Sequence, residues 1–445
     1  MADRSLFIAN ARVRRCLVDG ALPGAKRSGR REPAGGNDDE QVLVDLVIED
    51  GRIAALHPAG ERAPAPGAEV IDQDGGEVWP CPIDVHTHLD KGHVWPRSAN
   101  LHGTFDGAMA AAAADKQRHW SAEDVHTRFS FGLRCAYAHG TVAIRTHLES
   151  EAPHHQMSWP VFDALRGEWA GRIHLEAVGL TAIGDFLTPF GNQLADLVAH
   201  HQGVLGGFLT MHPDLDPALD RLLALAAERG LDLDLHVDES GEPGAIALRH
   251  VAAAALRHGF AGKILCGHCC SLAVQPPHEA ERTLDLVREA GISVVSLPMC
   301  NLYLQDRAPG RTPRWRGVTL LHEMAARGIP IALASDNCRD PFHAYGDHDM
   351  LEVLREAARI AHLDRPLGAW PRAICRTPAA VMGLPDAGVI RRGGPADLML
   401  FRARSDAELL SRPQSDRRVL RAGRPIDSTL PDYRELDETL GLGAS

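Results

Sequence analysis

From residue 81 onward, short apolar runs alternate with longer segments in which apolar residues recur every three or four positions. The first pattern is that of strands buried on both faces, the second that of helices with one buried stripe. Runs at Cys81–His86, Thr141–Thr146, Ile173–Leu180, Val204–Leu209, Leu231–His236, Lys263–His268, Ser293–Leu297 and Pro330–Ser335 predict eight strands. Between them, Ala122–Ala138, Pro217–Arg229, Ala245–His258, Glu279–Ala290 and Thr319–Arg327 predict helices. Strands alternating with helices make parallel βαβ units, and eight of them favour closure into a (β/α)8 TIM barrel over an open doubly wound sheet.

Outside this region the pattern changes. Residues 5–18 (SLFIANARVRRCLV) read as a strand pair, and residues 42–58 as a hairpin turning at Asp50-Gly51. The intervening stretch, 18–41, is rich in Gly, Pro and charge and reads as a flexible insertion. Met350–His362 and Trp370–Met382 predict two more helices, and residues 388–405 and 417–427 look like strands again. The α/β chain therefore divides into a barrel over 81–384 and a small, discontinuous β-sandwich-like domain from both termini, 1–80 with 385–445.

Composition narrows the function classes. A chain of 445 residues, 44% hydrophobic and 24% charged, is ordinary globular material, long enough for a large barrel with an accessory domain. A net charge of −12 disfavours nucleic acid and anionic membrane as partners. MADRSLFIANARVRRC has no apolar signal core, and no run of about eighteen apolar residues offers a membrane span. Nine scattered cysteines fit reduced thiols in a cytoplasmic enzyme. A homo-oligomer stays open.

The chemistry sits at strand ends. HTHLDKGH at 86–93 places two histidines two apart, on one side of a strand end, where both can reach one metal. His236 ends the fifth predicted strand, with Glu239 three residues on; His268 ends the sixth and Asp336 the eighth. That is the C-terminal face, where barrel enzymes carry their active sites. Ordinary structural histidines have no reason to choose that end repeatedly. Cys266, Cys269 and Cys270 flank His268, but no second cysteine pair at zinc-finger spacing accompanies them, so they read as buried thiols.

These motifs resemble the amidohydrolase superfamily, in its cytosine deaminase-like branch. The likeness runs from H-T-H-L-D at 86–90 through H-V-D-E at 236–239, NLYLQDRAPGRTPRWRGVT at 301–319 and SDNCRDPF at 335–342 to GGPADLMLF at 393–401. It implies that His86, His88, His236 and Asp336 bind one divalent metal, Zn²⁺ or Fe²⁺. It further implies that Glu239 shuttles protons to a ring nitrogen and that His268 polarises the developing oxyanion. Asp336 would be both ligand and base toward the attacking water. Binuclear members carry a lysine at the end of strand four; VLGGFLTMHPD has none, so a mononuclear site is expected.

The implied activity is deamination of a small nitrogen heterocycle such as a pyrimidine, a triazine or a creatinine-like ring. Hydrolysis of a cyclic amide or an N-alkyl C–N bond is the alternative within enzymes, and a non-catalytic metal-binding barrel the alternative outside them. Cytosine deaminases carry a glutamine after strand three, where this chain has Thr181–Ala182, and a second aspartate where it has Asn337. An amide that both donates and accepts cannot reproduce a carboxylate's pairing, so cytosine is not the expected substrate. Asn337, His212 and Gln305 are candidate substrate contacts. Lys91 is another, unless it simply pairs with Asp90.

Overall fold

A computed structural model describes residues 5–20, 22 and 40–443. The predicted insertion at 18–41 falls mostly outside them. Eight strands form one parallel sheet in sequence order: Ile83–Thr87, Ala143–Glu149, His174–Leu180, Val204–Leu209, Leu233–Val237, Ile264–His268, Ser293–Ser296 and Ile331–Leu333. Their side chains are almost all buried on both faces, which is why the sequence reads as unbroken apolar runs. A parallel bridge between Thr87 and Asp336 joins the first strand to the segment after the eighth. There the Asp336 amide donates to the His86 carbonyl at 2.9 Å, and the Thr87 hydroxyl donates to the Asp336 carbonyl at 2.8 Å. The fold is the expected (β/α)8 barrel with added terminal sheets.

Helices fill the connections. Leu215–Arg229 and Ala247–His258 each end on a glycine in the left-handed region, Gly230 and Gly259, which accepts that backbone without a β-carbon clash. Helix Phe105–His119 begins where the Thr104 side chain accepts the Gly107 amide. No helix among the described residues is long and apolar enough to cross a membrane.

The termini differ in detail from the sequence reading. Residues 5–18 are one strand, Ser5–Arg14, followed by a single 3-10 turn, not a strand pair. It sits in a four-stranded sheet between Gln41–Glu49 and Glu69–Asp72, with Arg52–Pro58 completing the predicted hairpin. The C-terminal strands Leu398–Leu400, Arg418–Arg421 and Arg424–Pro425 make a second four-stranded sheet with Val78–Pro80. Leu6, Ile8, Val44 and Leu46 share an apolar core with Ile390, Leu398, Leu400 and Leu420. The predicted helix 370–382 is broken at Cys375, because Pro378 has no amide to donate to the Ile374 carbonyl.

The chain divides into two compact units. One comprises 1–83, 137–142 and 349–430; the other comprises 84–136, 143–348 and 431–445 and holds the barrel strands from Asp84 on. The helices after 349 thus group with the terminal sheets, and the last residues with the barrel, unlike the division expected at 384.

Candidate active site

The strand-end polar residues meet in the barrel mouth. His236 lies level with Gly267, and Val237 with His268, so strand pairing fixes the heights of the two histidines. Gly267 gives the ring room: a β-carbon there would press on His86, 3.0 Å from its Cε1 and 3.3 Å from its Nδ1. Asp238, His268 and Asp336 take left-handed φ of 50°, 67° and 61°, which turns the chain sharply as each strand ends.

His88 Nε2 stands 3.2 Å from His236 Nε2 and 3.3 Å from Asp336 Oδ1, and His86 Nε2 stands 3.7 Å from the same carboxylate oxygen. Ligand atoms of His86, His88 and His236 all lie within 4.8 Å of one another, as do those of His86, His268 and Asp336. Both nitrogens of His86, both carboxylate oxygens of Asp336 and His268 Nε2 are buried without a hydrogen-bond partner. Such orphaned polar atoms are costly unless something satisfies them. Burial first, then the basic groups around them, holds the imidazoles of His86, His88 and His236 well below the ordinary histidine value, in the neutral form that binds metals. Burial pushes Asp336 up, and burial followed by the Asp336 charge does the same to Glu239. Neutral imidazoles, orphaned carboxylate oxygens and missing positive charge are what one divalent cation would satisfy, so the residues present fit the expected metal.

Glu239 and His268 belong to one small network. Glu239 Oε1 lies 3.3 Å from His268 Nδ1, and Asn301 Nδ2 lies 3.2 Å from that oxygen and 2.9 Å from the His268 nitrogen. Burial, then Lys91, holds His268 down to about 3.

A cavity of about 510 Å³ opens over these groups. His88, His236, Glu239, His268, Asp336 and Asn337 face it, with apolar walls from Phe105, Met109, Leu180, Phe208, Met211 and Phe342. Lys91 also reaches it, but its partner is Glu149 at 3.2 Å and not Asp90, whose carboxylate accepts the Glu149 amide instead. Lys116 completes the charged group, 2.6 Å from Glu149 and paired with Glu151.

Two expected substrate contacts are not brought to the cavity. His212 points into solvent, its side chain 60% exposed and its Nδ1 accepting the Asp214 amide, because the chain has already left the strand; Thr210 and Met211 line the wall instead. Gln305 is buried behind it, its Nε2 donating to the Glu239 carbonyl at 3.3 Å, so it braces the Glu239 loop. Asn337 lines the cavity with its amide donating to Asp340 at 2.6 Å.

Sequence reading missed His147 and Asp234. The second strand runs on to Glu149, past the predicted end at Thr146, and carries His147 into the cluster, its ring 4.0 Å from that of His86. Asp234 Oδ1 lies 3.6 Å from His147 Nε2 and 3.9 Å from His86 Nδ1, while its other oxygen accepts from Arg145 at 3.0 Å.

A barrel whose strand ends converge on a cation-shaped cluster defines a hydrolase class, and residues 175–429 match the family described as "Amidohydrolase family". The chain belongs to the amidohydrolase family. It is 54% identical to a pterin deaminase of Rhizobium rhizogenes (strain K84 / ATCC BAA-868) over 402 residues, 90% of this chain and 91% of that one. It is 24% identical to an N-isopropylammelide isopropyl amidohydrolase of Pseudomonas sp. (strain ADP), covering 82% of this chain and 89% of the other. Among solved structures, a 5-methylcytosine deaminase from Klebsiella pneumoniae bound to 5-fluorocytosine superposes with a TM-score of 0.79 at 24% identity, covering 95% of this chain and 97% of that one.

Proposed function

We propose that this enzyme removes the exocyclic amino group of a pterin, a two-ring aminoheterocycle, and leaves an oxo group in its place. It is a metal-dependent deaminase of a heterocycle; the pterin assignment rests on its 54% identity to the Rhizobium rhizogenes pterin deaminase across 90% of the chain. The cavity supports that reading: at about 510 Å³, with aromatic and methionine walls, it suits a flat ring system larger than one pyrimidine.

In this reading His86, His88, His236 and Asp336 would hold one ion, Zn²⁺ or Fe²⁺, since imidazole and carboxylate donors suit both. No lysine stands on the fourth strand, Val204–Leu209, to bridge a second ion beside it. A bound divalent ion supplies Lewis acidity, making an attacking water acidic near neutral pH. Asp336, both of whose carboxylate oxygens are unpartnered, would take the first proton from the attacking water. Glu239, at the cavity edge and held by Asn301, delivers a proton to the ring nitrogen beside the attacked carbon and then to the departing amine. His268 presents its unpartnered Nε2 to the oxygen that becomes anionic. The C–O bond forms and the C–N bond breaks; of the two protons that water supplies, one ends on the ring nitrogen and the other leaves in ammonia.

The test is direct. Metal-loaded protein incubated with pterin should release ammonia and the 2-oxo product in equal amounts. No ammonia from pterin, with efficient turnover of another aminoheterocycle, would overturn the substrate assignment. Release of an alkylamine from an N-alkylated triazine, with none from pterin, would favour the activity named for the Pseudomonas relative.

A further inference from the structure

We propose that His93, Cys338 and His348 form a second, structural metal site for a zinc-like divalent ion, on the far side of the strand that carries His86 and His88. The three side chains come from two distant segments, and their residues are 1%, 1% and 2% exposed. One ligand atom from each lies within 4.8 Å of the other two. None of the three lines the catalytic cavity.

His93 is the pointed observation. Neither ring nitrogen has a hydrogen-bond partner although the ring is buried. Packing explains its shape but not those nitrogens: the ring meets Phe131 edge-on, centroids 4.9 Å apart. A buried imidazole with both polar atoms unsatisfied is costly, and a coordinated cation removes the cost.

The surroundings are built for the cluster. His93 and His348 both hold left-handed φ, 64° and 56°, a conformation that disfavours residues with a β-carbon unless the fold enforces it. Gly132 leaves the space that His348 fills: a β-carbon there would stand 3.1 Å from His348 Nε2. Thr87, between the two ligand histidines, turns its side chain the other way, as strand alternation requires, and lies 3.5 Å from His348 Nδ1.

One thiolate with two neutral imidazoles is a zinc-type donor set. Binding replaces the Cys338 proton, which passes to solvent, with a sulfur–metal bond. The ion would tie together the loops after the first and eighth strands, already joined where the His93 amide donates to the Cys338 carbonyl at 3.0 Å.

Cobalt(II) is the probe, because a thiolate gives bound cobalt an intense near-ultraviolet charge-transfer absorption that nitrogen and oxygen ligands do not. Full-length protein saturated with cobalt should bind two ions per chain and show that band. Cys338→Ser should lose the band and one ion and keep the other. Cys300 groups with Glu239 and Asp336, so Cys300→Ser is the control and should keep the band. One ion and no band in the wild-type protein, or a band that survives Cys338→Ser and vanishes in Cys300→Ser, overturns the proposal. If Cys338→Ser does not fold, X-ray absorption of the zinc-loaded Cys300→Ser protein decides. A sulfur neighbour at about 2.3 Å supports the site, and a shell of nitrogen and oxygen alone rejects it.

Discussion

His88 and His236 turn the same ring atom toward each other: their Nε2 atoms are 3.2 Å apart, although the residues stand 148 positions apart in sequence. Burial keeps both rings neutral, so the pair does not meet as two repelling cations. Asp336 closes the same group from the opposite end of the barrel sequence.

Removing one member of that group should therefore remove an ion. His88→Ala is expected to carry one metal equivalent fewer than the wild-type protein by elemental analysis, with deamination reduced to background. Unchanged metal content together with near-normal kcat would show that His88 is no ligand.

Glu239→Gln preserves the shape of the side chain and its contact with Asn301 but removes the proton carrier. Metal content should stay at the wild-type level while kcat on the true substrate falls by about 10²–10⁴-fold. Metal loss in this variant would assign Glu239 to coordination, and near-normal turnover would remove it from the mechanism.

Cytosine should be a poor substrate beside pterin. From the end of the third strand only Leu180 faces the cavity, while the Thr181 hydroxyl is spent on Asp185 and Asn337 is tied to Asp340. Each missing ring-edge hydrogen bond costs about 0.5–1.5 kcal/mol. Two of them lower kcat/KM for cytosine by roughly tenfold or more. Steady-state comparison of the two compounds checks this, and equal efficiencies would mean that other groups read the ring.

Arg417 should matter for stability. Its guanidinium meets Asp349 Oδ1 at 2.9 Å, and both side chains are nine-tenths buried. Burial opposes the Asp349 charge, yet Arg417 and His139 outweigh it and hold the carboxyl below the usual range. A depressed carboxyl stabilises the fold fully above its unfolded pKa, about 3.9, and loses that contribution as the pH falls through the lower folded value. Arg417→Met, which strands the buried charge, should cost about 3–5 kcal/mol at neutral pH. The gap from wild type should narrow on acidification through the carboxylate range, where Asp349 takes up a proton. Urea denaturation at several pH values measures it; no gap at neutral pH, or one that widens in acid, counts against the pair.

The barrel and most of its central cluster were legible because polar residues at the ends of apolar runs are conspicuous: His86, His88, His236, His268 and Asp336 each interrupt such a run. His147 was not legible for a reason equally physical. The predicted strand stops at Thr146, one residue short of it, whereas the observed strand continues through His147 to Glu149, with Arg145 inside it neutralised by Asp234 and Glu176. Helix Phe105–His119 hid as well, since its run of alanines shows little periodicity, and so Lys116 could not be matched with Glu149. His212 misled because proximity in sequence to a strand end says nothing about which way the following loop turns.

The hydrogen bond from the Asp336 amide to the His86 carbonyl ties the backbones of two proposed metal ligands across the point where the barrel meets itself. The length of chain from Leu333 to Asp336 is therefore set by two demands at once. Adding or deleting one residue there would shift the last strand against the first and swing the carboxylate away from the imidazoles in a single stroke. This short connection is therefore where a change of length in this chain should be least tolerated.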